Sequence, residues 1–329
     1  MRRMNWESMA GRVLAGERLG RDDALAVLEA PDDDLLAVLQ AAFAVRRAHF
    51  GRGVSLHVIR NAKSGLCSED CAFCSQSEEA DTSVAAYPLQ ATEAIVAGAR
   101  DAHGLGAVRY CVVTSGRGPA PGDLDRLCDT VRRIKESVPI QVCTSLGILT
   151  DGQAVQLKAA GVDRYNHNLE TAEGFYPSIC STHAYADRVT TARAVKQAGM
   201  QLCSGGLIGM GESRADRVAL AFALRDSGAD SIPLNFLDPR PGTPLGDRPR
   251  ITALDALRTL AMFRFVNPDR ELRMAGGREA CLGSLQALAL FPANSIFTVG
   301  YLTTPGQGHA ADLAMIAAAG FEVAEMTDA

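Results

Sequence analysis

The sequence predicts an α/β fold, specifically a (β/α)8 TIM-type barrel with a short N-terminal helical extension. After residue 53, eight short β-rich runs alternate with eight helical stretches, which is the order of a parallel sheet. The chain has 329 residues, 47% of them hydrophobic, and a barrel of this kind needs about 250 residues. A doubly wound open sheet is the alternative, but no Gly-x-Gly-x-x-Gly follows the first strand.

The boundaries of the elements follow from capping residues and turn residues. Helical stretches run from Asp151 to Gly161 and from Asp187 to Gly199, as the preferences of helix ends predict. The expected strands are 54–60, 107–114, 140–146, 163–168, 200–206, 230–236, 271–275 and 295–299. The expected helices are 92–103, 122–137, 151–161, 184–199, 213–227, 252–266, 278–290 and 310–319.

The domain organisation is expected to be simple. Residues 1–50 have helical periodicity, broken at Pro31 and the aspartates after it. Residues 51–320 contain no low-complexity tract or linker, which predicts one catalytic barrel, and 321–329 is expected to be a C-terminal tail.

Composition excludes several classes of function. The net charge is −5 with no Lys/Arg-rich block, so nucleic acid is not an expected partner. No apolar run approaches the ~18 residues of a membrane span, and the N-terminus lacks a signal-peptide core, so a cytoplasmic location is expected. Nine unevenly spaced cysteines do not resemble a disulfide framework and indicate metal or redox chemistry.

The first cysteine motif follows the first strand directly. Cys67, Cys71 and Cys74 have C-x3-C-x2-C spacing, so three thiolates on one loop can converge on a metal centre. Thiolates select Zn, Cu(I) or iron–sulfur clusters. A structural zinc site usually has four protein ligands, and no fourth Cys or His lies nearby. A zinc clip or a set of buried free thiols are the alternatives.

This motif, in this position, resembles that of the radical SAM superfamily. The resemblance implies a [4Fe–4S] cluster on Cys67, Cys71 and Cys74, with S-adenosylmethionine (SAM) bound to the open iron. The aromatic residue before the third cysteine, Phe73, also fits the superfamily and is expected beside the cofactor.

A second set of cysteines lies within predicted strands. Cys111, Cys143 and Cys203 fall in strands two, three and five, and alternation places them on the same face as Arg109, Gln141 and Gln201, respectively. A single strand cysteine is most often a small buried hydrophobic residue. Arg273, however, lies in the seventh strand, and a buried unpaired guanidinium would cost several kcal/mol. An anionic partner is therefore expected.

Together these four residues resemble the ligand set of the biotin synthase family. That resemblance implies a [2Fe–2S] cluster held by Cys111, Cys143, Cys203 and Arg273. The remaining cysteines, Cys128, Cys180 and Cys281, match no ligand of the family and are expected to be structural.

Further segments resemble the cofactor and substrate contacts of the family. In DRYNHNLET, Asn168 is expected to contact both SAM and substrate, and Glu170 the ribose of SAM, although the family pattern has Asp there. The segment CSGGLIGMGE supplies Leu207 and Met210 for the adenine. The other expected contacts are Thr114 for SAM and Asn235, Thr303 and Thr304 for the substrate.

The resemblance implies a sulfurtransferase that inserts sulfur from the [2Fe–2S] cluster into dethiobiotin, giving biotin, without a side-chain acid or base as catalyst. It also implies flavodoxin or ferredoxin as reductant, iron–sulfur assembly proteins as partners, and a homodimer. The alternatives are another radical SAM enzyme with a similar barrel, of the hydrogenase-maturation or methylornithine-mutase type, and an iron–sulfur carrier.

Overall fold

A closed parallel barrel forms the centre of the chain, of which the computed structural model describes residues 4–325. The strands of the barrel are β1 Gly53–Lys63, β2 Arg109–Thr114, β3 Gln141–Ser145, β4 Arg164–Asn166, β5 Gln201–Cys203, β6 Gly206–Ile208, β7 Ser231–Phe236, β8 Glu271–Met274 and β9 Ser295–Phe297. They pair in the order β1-β2-β3-β4-β5-β7-β8-β9, and β6 follows β5 and pairs with β7. The barrel closes where β9 pairs with β1, through Ser55–Ser295 and His57–Phe297.

Helices cover the outside of the barrel because both faces of a parallel sheet must be buried. The helices are α1 Trp6–Leu14, α2 Arg21–Leu28, α3 Leu35–Phe50, α4 Thr92–Gly104, α5 Pro121–Ser137, α6 Asp151–Ala159, α7 Tyr185–Gln197, α8 Arg214–Asp226, α9 Ala253–Val266, α10 Arg278–Leu282, α11 Gln286–Ala289 and α12 His309–Ala318. Thr150, Ser213 and Thr252 cap α6, α8 and α9 by accepting a hydrogen bond from a backbone N–H of the first turn. The predicted (β/α)8 barrel is confirmed.

Two predicted elements are divided. The fifth strand is interrupted between β5 and β6, where a Cβ on Gly205 would lie 1.9 Å from the carbonyl oxygen of Pro233. The predicted helix 278–290 breaks into α10 and α11 at Gly283, whose φ of 51° is in the left-handed region.

The N-terminal extension consists of three helices that pack on the barrel. α2 contacts α8 and α9, α3 contacts α9, and their apolar residues join the main core. The guanidinium of Arg46 is fully buried and donates to the carbonyl oxygens of Gly51, Gly53 (2.7 Å) and Ala293 (3.3 Å), which fastens α3 to the loop before β1 and to the segment before β9. The domain limits at residues 50 and 320 stay a prediction.

Three short strands lie outside the barrel. β10 Gly300–Tyr301 and β11 Thr304–Pro305 form a hairpin directly after β9. β12 Glu322–Val323, in the segment expected to be a tail, pairs in parallel with the start of β1; residues 326–329 of that segment lie outside the described residues. Within residues 4–325, no helix has the length and apolar character needed to cross a membrane.

Candidate functional site

The loop between β1 and α4 carries the first cysteine motif. Cys67, Cys71 and Cys74 are half-buried, and none of them forms a disulfide. The N–H of Cys74 donates to the carbonyl of Cys71 (2.9 Å), and the N–H of Cys67 donates to the carbonyl of Gln76 (3.0 Å), so the loop folds back on itself. All three cysteines line one cavity of about 190 Å³. The motif therefore brings three thiols to a common space, as a shared metal centre requires.

The surroundings of Cys71 and Cys74 raise the pKa values of these two thiols in the metal-free chain. A hydrogen bond with Cys180, together with burial, raises the pKa of the Cys71 thiol. Burial raises the pKa of the Cys74 thiol. A metal centre bound here must displace the thiol protons, so its binding depends on pH.

The second group lies inside the barrel. Cys111, Cys143, Cys203 and Arg273 project from β2, β3, β5 and β8, and none is more than 5% exposed. Cys111 and Cys143 are direct partners in the β2–β3 ladder, and Nη1 of Arg273 lies 3.8 Å from Sγ of Cys203. A hydrogen bond from Cys143 lowers the pKa of Cys111 against the effect of burial, and the same bond raises the pKa of Cys143.

The carboxylate of Glu271, the first residue of β8, lies next to this group, toward the N-terminal ends of the strands. It accepts hydrogen bonds from Nη1 of Arg164 (2.8 Å), Nη1 of Arg109 (3.4 Å) and Nη2 of Arg273. Burial would raise the pKa of Glu271, but the charges of Arg164 and Arg273 hold that pKa well below its usual range. Three guanidiniums thus share one carboxylate, and the layer keeps an excess of positive charge.

These contacts modify the sequence argument about Arg273. Glu271 supplies part of the anionic partner that a buried guanidinium needs, so the charge of Arg273 alone does not demand a cluster. Two features are still consistent with an iron–sulfur cluster at this position. One is the excess positive charge beside three thiols, and the other is the Nε of Arg273, which has no hydrogen-bond partner among residues 4–325. The donor set therefore fits an anionic, thiolate-bound iron–sulfur centre.

A second cavity, of about 270 Å³, lies between the two groups of thiols. Toward the inner group it is lined by Ile59 and Tyr301, which pack against Cys111 and Cys143. Toward the loop it adjoins the first cavity, with which it shares lining residues. The residues that line both cavities are Phe73, Cys74, Gln76, Ser145, Asn166, Asn168 and Glu170.

Glu170 holds a strained position at the junction of the cavities. Its φ of 68° is uncommon for a residue with a side chain. The bond from the N–H of Leu207 to the carbonyl of Glu170 (2.9 Å) fixes it, and only glycine fits beside that carbonyl, because a Cβ on Gly206 would lie 2.5 Å from its oxygen. The carboxylate lies 3.6 Å from Nη1 of Arg188 and 3.5 Å from Nδ2 of Asn168, and burial raises its pKa.

Polar groups also mark the far wall of the second cavity. The side-chain oxygen of Asn235 accepts a hydrogen bond from the N–H of Gly276 (2.9 Å), which fixes the orientation of the amide. Thr303 and Thr304 lie on the hairpin β10–β11, and the hydroxyl of Thr304 accepts a hydrogen bond from Nη2 of Arg240 (3.0 Å). Among the residues that line this cavity, Arg240 is the one arginine.

The other predicted contact residues lie as follows. Thr114 lines the first cavity and Leu207 the second. Met210 lines neither: it is buried, 1% exposed, in a cluster with Leu207 and Tyr176. The roles predicted for all these residues stay predictions.

Several residues of the site were missed from the sequence. Glu271 precedes Arg273 by two residues in the same strand, so alternation alone would have placed it on the inner face. Arg188 and Arg240 carry no such signal, because a helix and a loop bring them to the cavities. Cys180, expected to be only structural, lies with its Sγ 3.9 Å from that of Cys71.

Two known sequence families match the chain. Residues 63–224 match the Radical SAM superfamily, and residues 233–322 match the Biotin and Thiamin Synthesis associated domain. The first span contains the three-cysteine loop and β2 to β6, and the second contains most of β7 together with β8, β9 and the hairpin. Fold and cysteine loop thus define a radical SAM protein.

Curated relatives narrow this class. The chain is 54% identical over 317 residues to the biotin synthase of Salinibacter ruber, which covers 96% of this chain and 88% of the relative. It is 48% identical over 320 residues to the biotin synthase of Halalkalibacterium halodurans, which covers 97% and 96%. The chain belongs to the biotin synthase family. It is accordingly a sulfurtransferase whose cofactors are a [4Fe–4S] cluster, SAM and a [2Fe–2S] cluster.

Solved structures agree on the fold. A methylornithine synthase superposes with a TM-score of 0.86 at 20% identity, covering 97% of this chain and 98% of the other. The FeFe-hydrogenase maturase HydG from Carboxydothermus hydrogenoformans gives a TM-score of 0.81 at 17% identity, covering 96% and 78%. At these identities the similarity concerns the barrel alone.

Proposed function

We propose that this chain converts dethiobiotin to biotin by radical sulfur insertion, with the [2Fe–2S] cluster at Cys111, Cys143, Cys203 and Arg273 as the sulfur source. One observation carries the proposal: the two groups of three thiols lie on either side of two adjoining cavities, and the inner group lies beside three buried guanidiniums that share one carboxylate. Membership of the biotin synthase family supports the choice of substrate.

In this proposal Cys67, Cys71 and Cys74 hold the [4Fe–4S] cluster. When bound and reduced, this cluster with SAM supplies a 5′-deoxyadenosyl radical able to remove hydrogen from unactivated carbons, and the inner cluster supplies the sulfur. The chain binds and orients the reactants and excludes water from them. An enclosed site is suited to that task, because bulk water would quench reactive species.

The junction of the cavities is the proposed SAM site. The carboxylate of Glu170 can accept two hydrogen bonds from a ribose diol, and Asn168 beside it offers both a donor and an acceptor. Phe73 and Leu207 supply apolar walls, and Thr114 a hydroxyl. Met210, behind Leu207, would act by packing rather than by contact.

The second cavity is the proposed dethiobiotin site. The fixed amide of Asn235, together with Asn168, suits a neutral ureido ring, which has both N–H donors and a carbonyl acceptor. Thr303 and Thr304 suit a carboxylate tail, and Arg240 would add positive charge there. A flavodoxin or ferredoxin reductant, iron–sulfur assembly partners, a homodimer and a cytoplasmic location remain predictions that depend on the family resemblance.

The test is anaerobic reconstitution with iron and sulfide, followed by incubation with SAM, reductant and dethiobiotin and assay of biotin and 5′-deoxyadenosine together. Both products are expected from the unmodified chain. Cys143→Ala should give deoxyadenosine without biotin, and Cys67→Ala should give neither. Cys281→Ala, a buried cysteine away from both cavities, is the matched control and should retain both products.

Deoxyadenosine without biotin from the unmodified chain would contradict dethiobiotin as the substrate. It would favour instead a radical SAM enzyme acting on another compound. Absence of both products with both clusters loaded would favour the iron–sulfur carrier.

A further inference from the structure

A fourth thiol and an imidazole lie directly beside the cysteine loop. Cys180 follows β4 in a loop segment, and its Sγ lies 3.9 Å from Sγ of Cys71 and 3.2 Å from Nδ1 of His183. Cys180 and His183 are both buried. Neither belongs to the proposed ligand set of either iron–sulfur cluster.

The distances from Sγ of Cys180 to Sγ of Cys71 (3.9 Å) and to Nε2 of His183 (3.8 Å) are close to those between ligands in a tetrahedral zinc site. With Zn–S of about 2.3 Å and Zn–N of about 2.0–2.1 Å, two sulfur ligands lie about 3.8 Å apart, and a sulfur and a nitrogen about 3.5 Å apart. One potential ligand atom from each of the three residues lies within 4.8 Å of the other two. We propose that Cys71, Cys180 and His183 bind a single Zn²⁺ ion when the chain lacks its [4Fe–4S] cluster.

The neighbouring carboxylates brace this site. Oε2 of Glu69 lies 2.5 Å from Nδ1 of His183 and accepts from the hydroxyl of Thr182 (2.9 Å). An Nδ1–H donated to Glu69 orients the ring and leaves Nε2, which is 3.8 Å from Sγ of Cys180, as the zinc ligand. Asp70 accepts the backbone N–H groups of Ser181 (3.0 Å) and Thr182 (3.1 Å). Because these bonds tie the Cys180–His183 segment to the cysteine loop, the donors are held together without a metal ion.

The donor chemistry selects zinc. Two thiolates and an imidazole suit Zn²⁺, and the two thiolates neutralise its charge in a buried setting. Binding replaces the proton of the Cys71 thiol by the metal ion without any redox change.

Zinc and the iron–sulfur cluster exclude each other, because Cys71 cannot bind both. This mutual exclusion depends on the proposed role of Cys71 as a ligand of the [4Fe–4S] cluster, whereas zinc binding does not. In the zinc-bound chain, Cys71 is therefore a reduced thiolate coordinated to zinc and is not available to the [4Fe–4S] cluster.

The test uses the full-length chain, stripped of metal under anaerobic conditions, in a Cys67→Ala/Cys74→Ala background. This background removes the two loop thiols outside the site and leaves the strand cysteines constant. Co²⁺ should give thiolate charge-transfer and tetrahedral d–d absorption bands. Adding Cys180→Ala or His183→Asn to this background should abolish these cobalt bands. Either change should also weaken Zn²⁺ binding by at least about 100-fold, as measured by competition with a chromophoric chelator. This magnitude follows because replacing even a residue that only supports a metal ligand weakens binding by about 10- to 100-fold.

The control is the same background with Cys281→Ala, which should keep the cobalt bands. Far-UV circular dichroism identifies any variant that fails to fold; His183→Asn then decides if Cys180→Ala does not fold. Cobalt bands that survive both substitutions, or that are absent from the background chain, would overturn the zinc site.

The mutual exclusion of zinc and the [4Fe–4S] cluster is tested by a separate measurement. Zn²⁺ added before iron and sulfide should lower the yield of the [4Fe–4S] absorption in the unmodified chain but not in Cys180→Ala. Equal yields with and without zinc in the unmodified chain would overturn exclusion.

Discussion

Replacing Glu271 by glutamine tests whether one carboxylate holds the base of the barrel together. The change keeps the size of the side chain but removes the negative charge shared by Arg109, Arg164 and Arg273. Removing one partner of a buried ion pair costs about 3–5 kcal/mol. Since the unfolding entropy is about 2.1 cal/mol/K per residue over 329 residues, this cost lowers Tm by about 4–7 °C.

The measurement is thermal unfolding at neutral pH, followed by circular dichroism. Glu93→Gln is the matched control, because the ion pair of Glu93 with Arg133 is at the surface, with the two side chains 72% and 50% exposed, and should contribute little to the free energy of unfolding. A loss at Glu271 no larger than that of the control would refute the reasoning.

The same carboxylate gives a prediction for pH. The pKa of Glu271 is lower in the folded chain than in the unfolded chain, so its contribution is fully present above the unfolded pKa of about 4.3. That contribution is lost as the pH falls through the lower, folded pKa. The stabilities of the unmodified chain and Glu271→Gln should therefore converge only in strong acid.

Three further substitutions test the cavities. Arg273→Ala should retain the [2Fe–2S] absorption at least in part, because three thiols remain; reconstitution followed by iron and sulfide analysis measures it. Glu170→Gln should weaken SAM binding by about 10- to 150-fold in equilibrium dialysis, since a hydrogen bond to a charged group contributes about 1.5–3 kcal/mol. The difference should shrink as the pH falls through the raised pKa of Glu170. Arg240→Gln should weaken binding of dethiobiotin by about 2- to 5-fold, as expected for a partly exposed charge, but not binding of its methyl ester.

Each of these has a contradicting result. Complete loss of the inner cluster in Arg273→Ala would show that three thiols cannot hold it. Unchanged SAM binding in Glu170→Gln would remove that residue from the SAM site. An equal loss for acid and ester in Arg240→Gln would indicate a packing role in place of charge recognition.

The features of the fold that depend on a periodic pattern in the sequence could be predicted from it. The barrel follows from the alternation of elements, and the inward face of β2, β3 and β5 follows from period two: Arg109 does bond Gln141, and Gln201 does bond Arg164. The interruption of the fifth strand was not predictable, because it depends on Gly205 meeting Pro233 of a neighbouring strand.

The contacts that sequence reasoning missed are those between distant segments. Cys71 and Cys180 are 109 residues apart and share no motif, so only the fold brings their sulfur atoms together. Arg240 reaches the cavity from a loop, where no periodicity indicates which way a side chain points.

The hairpin β10–β11 forms one wall of the second cavity, and this wall is built differently from the others. It is held by the pairs Gly300–Pro305 and Tyr301–Thr304 and belongs to no strand of the barrel. Val299 and Leu302 have φ values of 77° and 48°, which are unfavourable for side chains of their kind. Tyr301 ties the start of this hairpin to Cys111 and Cys143, but residues 302–304 lie beyond that contact. We therefore expect changes at residues 302–304 to reshape this wall while the ladders that carry the inner cysteines stay closed.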